Sequence, residues 1–322
     1  MSFDSILKAL ESGRVTPAKA AGILRKAEER LDELLDEAWS VSRRRLRVYR
    51  PHPRYPSISI TGGWCELDCR HCGRVYLRSM EWAESPELLE RRLLKLSSTG
   101  AVGCLISGGY TREGRLPVKP FLKALRRGAD EGLRMNIHPG LVDRETASEI
   151  ASAGLEAASV DMPGDPETIR WVHGLDAGPR DYLKSMLNLS QAGLRACPHI
   201  CVGLHGGAVR GELNALSLVH RAGVENLTFI ILIPTPGTEF QHVRPPEPRT
   251  VAAVVALARL LMPEADIGLG CMRPRGPYSE EVERLLLRAG VDRIVLPRGK
   301  TLSEARRLGV RVEWMDSCCV IQ

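Results

Sequence analysis

Hydrophobic positions follow two different rhythms along the chain. Over the first 46 residues they recur at helical spacing, as in the stretch from Ala21 to Ala38, and this predicts two or three helices within Asp4–Leu46. From Tyr55 onward, short apolar runs alternate with longer amphipathic stretches, which is typical of repeated strand–helix units. We therefore expect a helical extension over residues 1–54, an α/β barrel domain over 55–308 and a tail over 309–322.

The barrel domain contains eight apolar segments that predict strands, and a helical pattern follows each of them. Eight alternations favour a (β/α)8 or partial TIM-type barrel with function at the carboxyl ends of its parallel strands. The predicted strands are Ser57–Thr61, Val102–Ser107, Arg134–Ile137, Ala157–Asp161, Arg195–Val202, Leu227–Leu232, Asp266–Gly270 and Arg293–Leu296.

Composition excludes several other classes of protein. The 322 residues are 43% hydrophobic and 26% charged, as in ordinary globular chains. We find neither an apolar run of about 18 residues nor a signal-peptide pattern, so we expect a cytoplasmic protein with no membrane partner. The net charge of +6 is scattered along the chain and aromatic residues are only 5%, which argues against a nucleic-acid partner.

Cysteine usage changes this picture. Nine cysteines in a chain with no secretory signal are hard to explain as a disulfide framework, because the cytosol keeps thiols reduced. The number is odd, so at least one cysteine lacks a disulfide mate. Metal or cluster ligation is therefore the leading explanation.

The strongest motif is Cys65-x3-Cys69-x2-Cys72, in the loop directly after the first predicted strand. Three thiolates in one loop can bind three irons of a [4Fe–4S] cubane and leave the fourth iron open. A zinc site would normally use four protein ligands, and no second CxxC pair follows at finger spacing. The motif favours a cluster over zinc or unligated cysteines.

This spacing resembles the signature of radical S-adenosylmethionine (radical SAM) enzymes. The resemblance implies that S-adenosyl-L-methionine chelates the open iron through its amino and carboxylate groups, and that reduction splits it to a 5′-deoxyadenosyl radical. It places His71 where an aromatic residue usually lies near the adenine.

Four further segments match this family in order. The family resemblance implies that Ser107-Gly108-Gly109 lets backbone carbonyls approach the cosubstrate's ammonium group, although glycine after a strand often marks only a turn. Val202-Gly203-Leu204 resembles the backbone contact with adenine, and the segment around Pro236 resembles the loop after the sixth strand. Asp161, at the end of the fourth strand, resembles a barrel-lining residue that contacts substrate or ribose.

Within the family, the chain most resembles biotin synthase and its sulfur-inserting neighbours. Biotin synthase holds a second, sacrificial [2Fe–2S] cluster with three cysteines and an arginine. Cys104 and Cys197 fall at two of these positions, but Asn136 stands at the third and Gly268 near the arginine, so we expect that this type of cluster is not intact. Cys104 alone is equally consistent with a small buried hydrophobe.

The remaining cysteines suggest a second iron–sulfur cluster of another kind. Its candidate ligands are Cys197, Cys201, Cys271, Cys318 and Cys319. Such a cluster can supply sulfide to a carbon radical, so the chain resembles one component of the archaeal two-protein lipoyl synthase. This resemblance implies an octanoylated lipoyl-domain protein or peptide as substrate, a second radical SAM subunit as partner, and an electron donor such as ferredoxin.

Two alternatives remain open. A radical SAM enzyme with a different outcome would carry out methyl transfer, rearrangement or hydrogenase maturation. A non-catalytic iron–sulfur or zinc protein would serve assembly or regulation instead. Formation of deoxyadenosine would exclude the non-catalytic protein. Deoxyadenosine without a sulfurated product would favour the radical SAM enzyme with a different outcome.

Overall fold

A computed structural model describes residues 3–13 and 15–321. Its centre is one parallel sheet of 11 strands in the order β11-β1-β10-β9-β8-β7-β6-β5-β4-β2-β3, which curves into a half-barrel. The strands are β1 Arg45–Tyr49, β2 Ser57–Ser59, β3 Glu81–Trp82, β4 Gly103–Ser107, β5 Arg134–Ile137, β6 Ala157–Asp161, β7 Arg195–Val202, β8 Asn226–Ile231, β9 Asp266–Leu269, β10 Arg293–Val295 and β11 Arg311–Met315.

Helices cover the outer face of this sheet. They are α1 Phe3–Glu11, α2 Pro17–Glu29, α3 Leu31–Ser40, α4 Pro86–Ser98, α5 Leu122–Asp130, α6 Arg144–Ser152, α7 Pro166–Thr168, α8 Pro179–Gln191, α9 Glu212–Arg221, α10 Pro248–Leu261, α11 Pro277–Arg288 and α12 Gly299–Arg307. Several begin at side-chain caps that satisfy amides of the first turn, such as Ser85, which accepts from the Leu88 amide at 3.2 Å. None of the helices among the described residues is both long and apolar enough to cross a membrane.

Side chains alternate across the strands, and this alternation separates two environments. Residues such as Leu46, Ile106 and Ile137 pack against the helices in the main hydrophobic core. Their strand neighbours face the barrel interior, where a smaller cluster includes Tyr49 and Cys197. The Cys197 thiol therefore faces the barrel interior.

All eight predicted strands are confirmed, and three further strands were not predicted. β1 lies in the segment assigned to the helical extension and pairs with both β10 and β11. Its sequence Arg45-Leu46-Arg47-Val48-Tyr49 alternates as a strand does. The arginines interrupt the continuous apolar run by which the other strands were predicted. The division at residue 54 remains a prediction, while the structure gives β1 to the barrel sheet.

The predicted tail also contributes to the barrel. Its first part forms β11, and the chain then turns inward so that Val320 and Ile321 are buried beside Tyr49 and Tyr55. An exposed ion pair between Arg54 and Asp316, 3.0 Å apart, lies where this turn begins. The end of the chain thus lines the barrel interior.

Candidate functional site

The three motif cysteines lie in a loop that leaves β2 at the carboxyl end of the sheet. Cys65, Cys69 and Cys72 are half-buried and none forms a disulfide. Cys65 is fixed by the segment after β4, because the Tyr110 amide donates to its sulfur at 3.2 Å. The Glu66 amide donates to the Tyr110 carbonyl at 2.8 Å and completes the attachment.

Gly109 makes this attachment possible. A Cβ at this position would lie 1.8 Å from the Trp64 carbonyl oxygen and 2.6 Å from the Cys65 Cα. Only glycine allows the cysteine loop to approach the end of β4 so closely. In the predicted Ser107-Gly108-Gly109 segment, Gly109 therefore positions the loop, and the Gly109 amide also donates to the Thr61 hydroxyl at 2.6 Å.

The loop closes in a tight turn around its last two cysteines. The amides of Cys72 and Gly73 both donate to the Cys69 carbonyl at 2.9 Å. Gly73 and Arg74 then adopt left-handed conformations with φ of 48° and 61°. A Cβ on Gly73 would lie 3.3 Å from the Thr238 side chain, so the loop after β8 packs against this turn.

The donor set fits an iron–sulfur cluster. Burial raises the pKa of Cys69 and of Cys72, and for Cys69 the neighbouring Cys72 and Cys65 add to the effect. Within residues 3–13 and 15–321, no three Cys, His, Asp or Glu side chains are arranged to hold one metal ion. In a cubane each thiolate binds a different iron, so its ligands need not converge on one point as they do around zinc.

His71, the predicted adenine neighbour, lies against a second histidine with the two rings tilted by 40°. Its ring centroid lies 5.5 Å from that of His173, and burial together with His173 lowers the pKa of His71 to about 3. His71 is therefore neutral at physiological pH. Its Nδ1 is buried and has no hydrogen-bond partner among the described residues.

Asp161 lies at the centre of a polar group on the inner face of the sheet. Its carboxylate contacts His138 Nε2 at 3.1 Å. Burial alone would raise the pKa of Asp161, but His138, His173 and His199 hold it well below its usual value. Burial alone would likewise lower the pKa of His138, but Asp161 raises it above its usual value. The interaction favours a charged pair.

The other predicted cosubstrate contacts follow neighbouring strands. Ser107 ends β4, and Val202-Gly203-Leu204 ends β7. The Gly203 amide donates to the Glu212 carboxylate at 2.7 Å, which ties this segment to the start of α9. Pro236 is exposed on the loop after β8. Their assigned roles toward the cosubstrate remain predictions.

A second group of cysteines lies deeper in the barrel. Tyr49, Tyr55, Cys197 and Cys319 belong to one buried cluster against which Cys318 packs, and we call this cluster the floor chamber. Cys197 and Cys319 are buried, and the amide nitrogen of Asn136 approaches the Cys318 sulfur at 3.8 Å. The hydroxyls of Tyr49 and Tyr55 and the Asn136 side-chain oxygen are buried without a partner among the described residues.

Cys271 follows β9 and is exposed. Burial of its thiol and the influence of Cys319 raise its pKa. Cys318 behaves differently, because a hydrogen bond with Cys319 lowers its pKa. Three of the five cysteines predicted for a second cluster, Cys197, Cys318 and Cys319, therefore lie together, and Cys271 is within electrostatic range of the two tail thiols.

The structure does not bring Cys201 to this group. Cys197 and Cys201 both lie on β7, but four residues of strand separate them by about 13 Å. Cys201 instead packs beside Val172 and Leu204 and lines a small cavity near Glu212.

Cys104 also lies elsewhere. It is fully buried in the core between sheet and helices, on the opposite face of the sheet from Cys197. Its position supports the interpretation as a small hydrophobe.

Comparison with known proteins agrees with this site. The family model described as "Radical SAM superfamily" matches residues 59–208, a range that contains the three loop cysteines, Asp161 and the Gly203 segment. Residues 59–208 are therefore similar to the radical SAM superfamily. This similarity implies a [4Fe–4S] cluster and S-adenosylmethionine as cofactors.

Curated relatives of this chain include biotin synthases at low identity. The biotin synthase of Shewanella woodyi is 26% identical over 276 residues, which cover 82% of this chain and 75% of the relative. That of Synechococcus sp. strain CC9605 is 27% identical over 307 residues, covering 89% and 90% of the two chains.

Solved structures share the fold. Methylornithine synthase superposes with a TM-score of 0.64 at 16% identity and covers 97% of both chains. The FeFe-hydrogenase maturase HydG from Carboxydothermus hydrogenoformans gives a TM-score of 0.65 at 17% identity, covering 97% of this chain and 79% of its own. At these identities, the likeness supports the half-barrel fold alone.

Sequence reasoning missed three residues that shape this site. Tyr110 holds Cys65, and the His173 ring lies against His71 while its Nδ1 lies 3.3 Å from the Tyr182 hydroxyl. His173 ends a π-helical turn over Ile169–His173, whose wider winding has no recognisable sequence signal. Tyr110, directly after Gly109, could have been found as the next residue of a recognised segment.

Proposed function

We propose that this radical SAM protein inserts sulfur at an unactivated carbon, as one component of a lipoyl synthase acting on an octanoylated lipoyl-domain protein. The observation that carries the proposal is a second set of thiols in the same barrel, in the floor chamber. One end of the barrel would bind the family's cofactors and the other would bind a second iron–sulfur cluster that donates sulfur.

Cys65, Cys69 and Cys72 would hold the first cluster, with His71 beside the cosubstrate. When bound, cluster and cosubstrate supply a carbon radical able to remove hydrogen from an unactivated carbon. The chain's own task is to position that carbon and exclude water. The Asp161–His138 pair lines the space between the cysteine loop and β7, and supports a role in orienting a polar part of the substrate or cosubstrate.

Cys197, Cys271, Cys318 and Cys319 are the ligands we propose for the second cluster. The hydroxyls of Tyr49 and Tyr55 have no partner in the part of the chain that the structure describes, and this supports a bound group, because buried polar atoms in folded proteins are rarely left without a partner. The identity with biotin synthases, 26% for the relative in Shewanella woodyi, supports sulfur chemistry without specifying the substrate.

Iron content tests the second cluster. Anaerobically reconstituted protein should contain more than the ~4 irons per chain of a single [4Fe–4S] cluster. Replacing Cys271 and Cys318 together by alanine should remove the excess, whereas the control Cys104→Ala should retain it. Unchanged iron in the double variant would reject the second cluster.

Product analysis tests the reaction. The reconstituted protein should be incubated with S-adenosylmethionine, a ferredoxin-type reductant and an octanoylated lipoyl-domain peptide, with and without a second radical SAM subunit. We expect a sulfurated peptide together with deoxyadenosine. Deoxyadenosine without sulfurated peptide would contradict the proposed substrate and favour a different radical reaction.

A further inference from the structure

Arg293 is a buried cation on the inner face of the floor chamber. It projects from β10 across Gly268 of β9, where a Cβ would lie 3.2 Å from the guanidinium carbon. Because Gly268 has no side chain, the guanidinium of Arg293 has room to lie over this position of β9. Only 1% of Arg293 is exposed, so its charge is not compensated by solvent.

Hydrogen bonds to oxygens hold the guanidinium of Arg293. Its Nε donates to Asp266 Oδ1 at 2.8 Å, and Nη2 donates to the Asp266 and Leu227 carbonyls at 3.0 and 3.1 Å. Nη1 donates to the Cys319 carbonyl, so this end of the side chain reaches the tail thiols. Four of the five N–H groups of a guanidinium are thus used by oxygens, and the guanidinium lies within interaction range of the Cys197 thiol.

Arg259 provides a contrast within the same protein. It is also fully buried, but all five of its N–H groups donate to oxygens, namely to the carbonyls of Gly290, Pro263 and Ala265 and to the Asp292 carboxylate. A buried arginine with a purely structural role is saturated in this way. Arg293 instead keeps one guanidinium N–H for the Cys197 sulfur.

Among the residues that the structure describes, the charge around Arg293 is also unbalanced. Arg47 and Arg293 both pair with Asp266, so two buried cations share one carboxylate, whereas Arg259 has Asp292. A buried excess of positive charge is costly unless an anionic group accompanies it. Thiolates that ligate an iron–sulfur cluster provide such a group.

We propose that Arg293 is the counter-ion of the second iron–sulfur cluster, positioned to bond the Cys197 thiolate and to stabilise the cluster's reduced form. This inference rests on the proposed function, because it requires the second cluster. Net charge and hydrogen bonds to sulfur set the reduction potential of iron–sulfur clusters. Arg293 is thus a positioning residue that acts through Cys197 and the backbone of Cys319.

Arg293→Met and Arg47→Met form a matched pair, because each variant leaves Asp266 with one arginine. Redox titration followed by electron paramagnetic resonance would measure both clusters in the reconstituted protein. For Arg293→Met we expect at least a tenfold loss in the equilibrium constant for one-electron reduction of the second cluster, a fall of ~59 mV. The loop cluster should be unchanged, and Arg47→Met, which removes a buried charge without the contacts to Cys197 and Cys319, should shift the second-cluster potential less than Arg293→Met.

Arg293→Lys keeps the charge but loses the planar fork, so its second-cluster potential should lie between those of wild type and Arg293→Met. Arg293→Lys also provides the test if Arg293→Met does not fold. An unchanged second-cluster potential in folded Arg293 variants, or an equal shift in Arg47→Met, would overturn the counter-ion role. Neither result would contradict the second cluster itself. A wild-type protein with iron for only one cluster would instead overturn the proposed function and this inference with it.

Discussion

The Tyr110 amide donates a hydrogen bond to the Cys65 sulfur over 3.2 Å, and so joins the cysteine loop after β2 to the segment after β4. The contact places an N–H donor on a thiolate that would ligate iron, and such donors stabilise the negative charge on sulfur. The close approach of the two segments depends on Gly109. The geometry of the first cluster is therefore set by a neighbouring strand as well as by the motif itself.

Gly109→Ala should impair cluster assembly. The new methyl group would overlap the Trp64 carbonyl and the Cys65 Cα, so the loop must shift and the Tyr110–Cys65 contact must break. We expect at least a tenfold loss in the rate of S-adenosylmethionine cleavage, with lower absorbance of the loop cluster.

Gly299→Ala is the matched control for this substitution, since a Cβ there meets nothing within 4 Å. It should behave as wild type. Equal cluster content in both variants would show that Gly109 does not position the loop.

Cluster uptake should depend on pH. Burial raises the pKa of Cys69 and Cys72, so both are thiols in the metal-free protein at neutral pH. Iron binds thiolates, and each ligand must therefore release a proton. Reconstitution followed by absorbance should become faster from pH 7 to pH 9 and should release protons. A rate independent of pH would contradict the burial of these thiols.

The buried pair of Arg273 and Glu283 should support the structure around Cys271. Their side chains are fully buried and 2.7 Å apart, and Arg273 also donates to the Gly270 carbonyl directly before Cys271. Glu283→Gln leaves a buried guanidinium without its counter-ion and should lower the free energy of unfolding by ~3–5 kcal/mol. Chemical denaturation would measure this loss. Glu304→Gln, at an exposed ion pair, should cost less than about 1 kcal/mol.

The same pair predicts the direction of a pH effect. Burial alone would raise the pKa of Glu283, but Arg273 and the hydrogen bonds from Thr301 and Arg298 hold it below the ordinary 4.5. Its contribution to stability is therefore complete above about pH 4.5 and is lost as pH falls through the lower folded value. Glu283→Gln should remove this part of the acid dependence, and an identical acid profile in both proteins would contradict it.

The eight barrel strands could be predicted from the sequence, because their apolar runs and the helices between them recur regularly. The sequence was insufficient for β1, whose Arg47 pairs with Asp266 inside the barrel. The loop cysteines could be recognised because three ligands lie within eight residues. The floor chamber could not, since its thiols come from β7 and from the tail, and only the fold shows that Cys201 lies apart.

Cys104 and Cys197 illustrate the same limit. Sequence position placed both near a second cluster, but one residue of register decides which face of a strand a side chain occupies. In the structure Cys104 faces the helices and Cys197 faces the interior.

The central claim is that the loop thiols hold a cluster that cleaves S-adenosylmethionine, and the most direct test is deoxyadenosine formation by anaerobically reconstituted protein under a strong reductant. Wild type should form deoxyadenosine and methionine, and Cys69→Ala should form neither, while Cys104→Ala should match wild type. Equal deoxyadenosine from wild type and Cys69→Ala, or none from a wild-type protein that contains the cluster, would contradict the account.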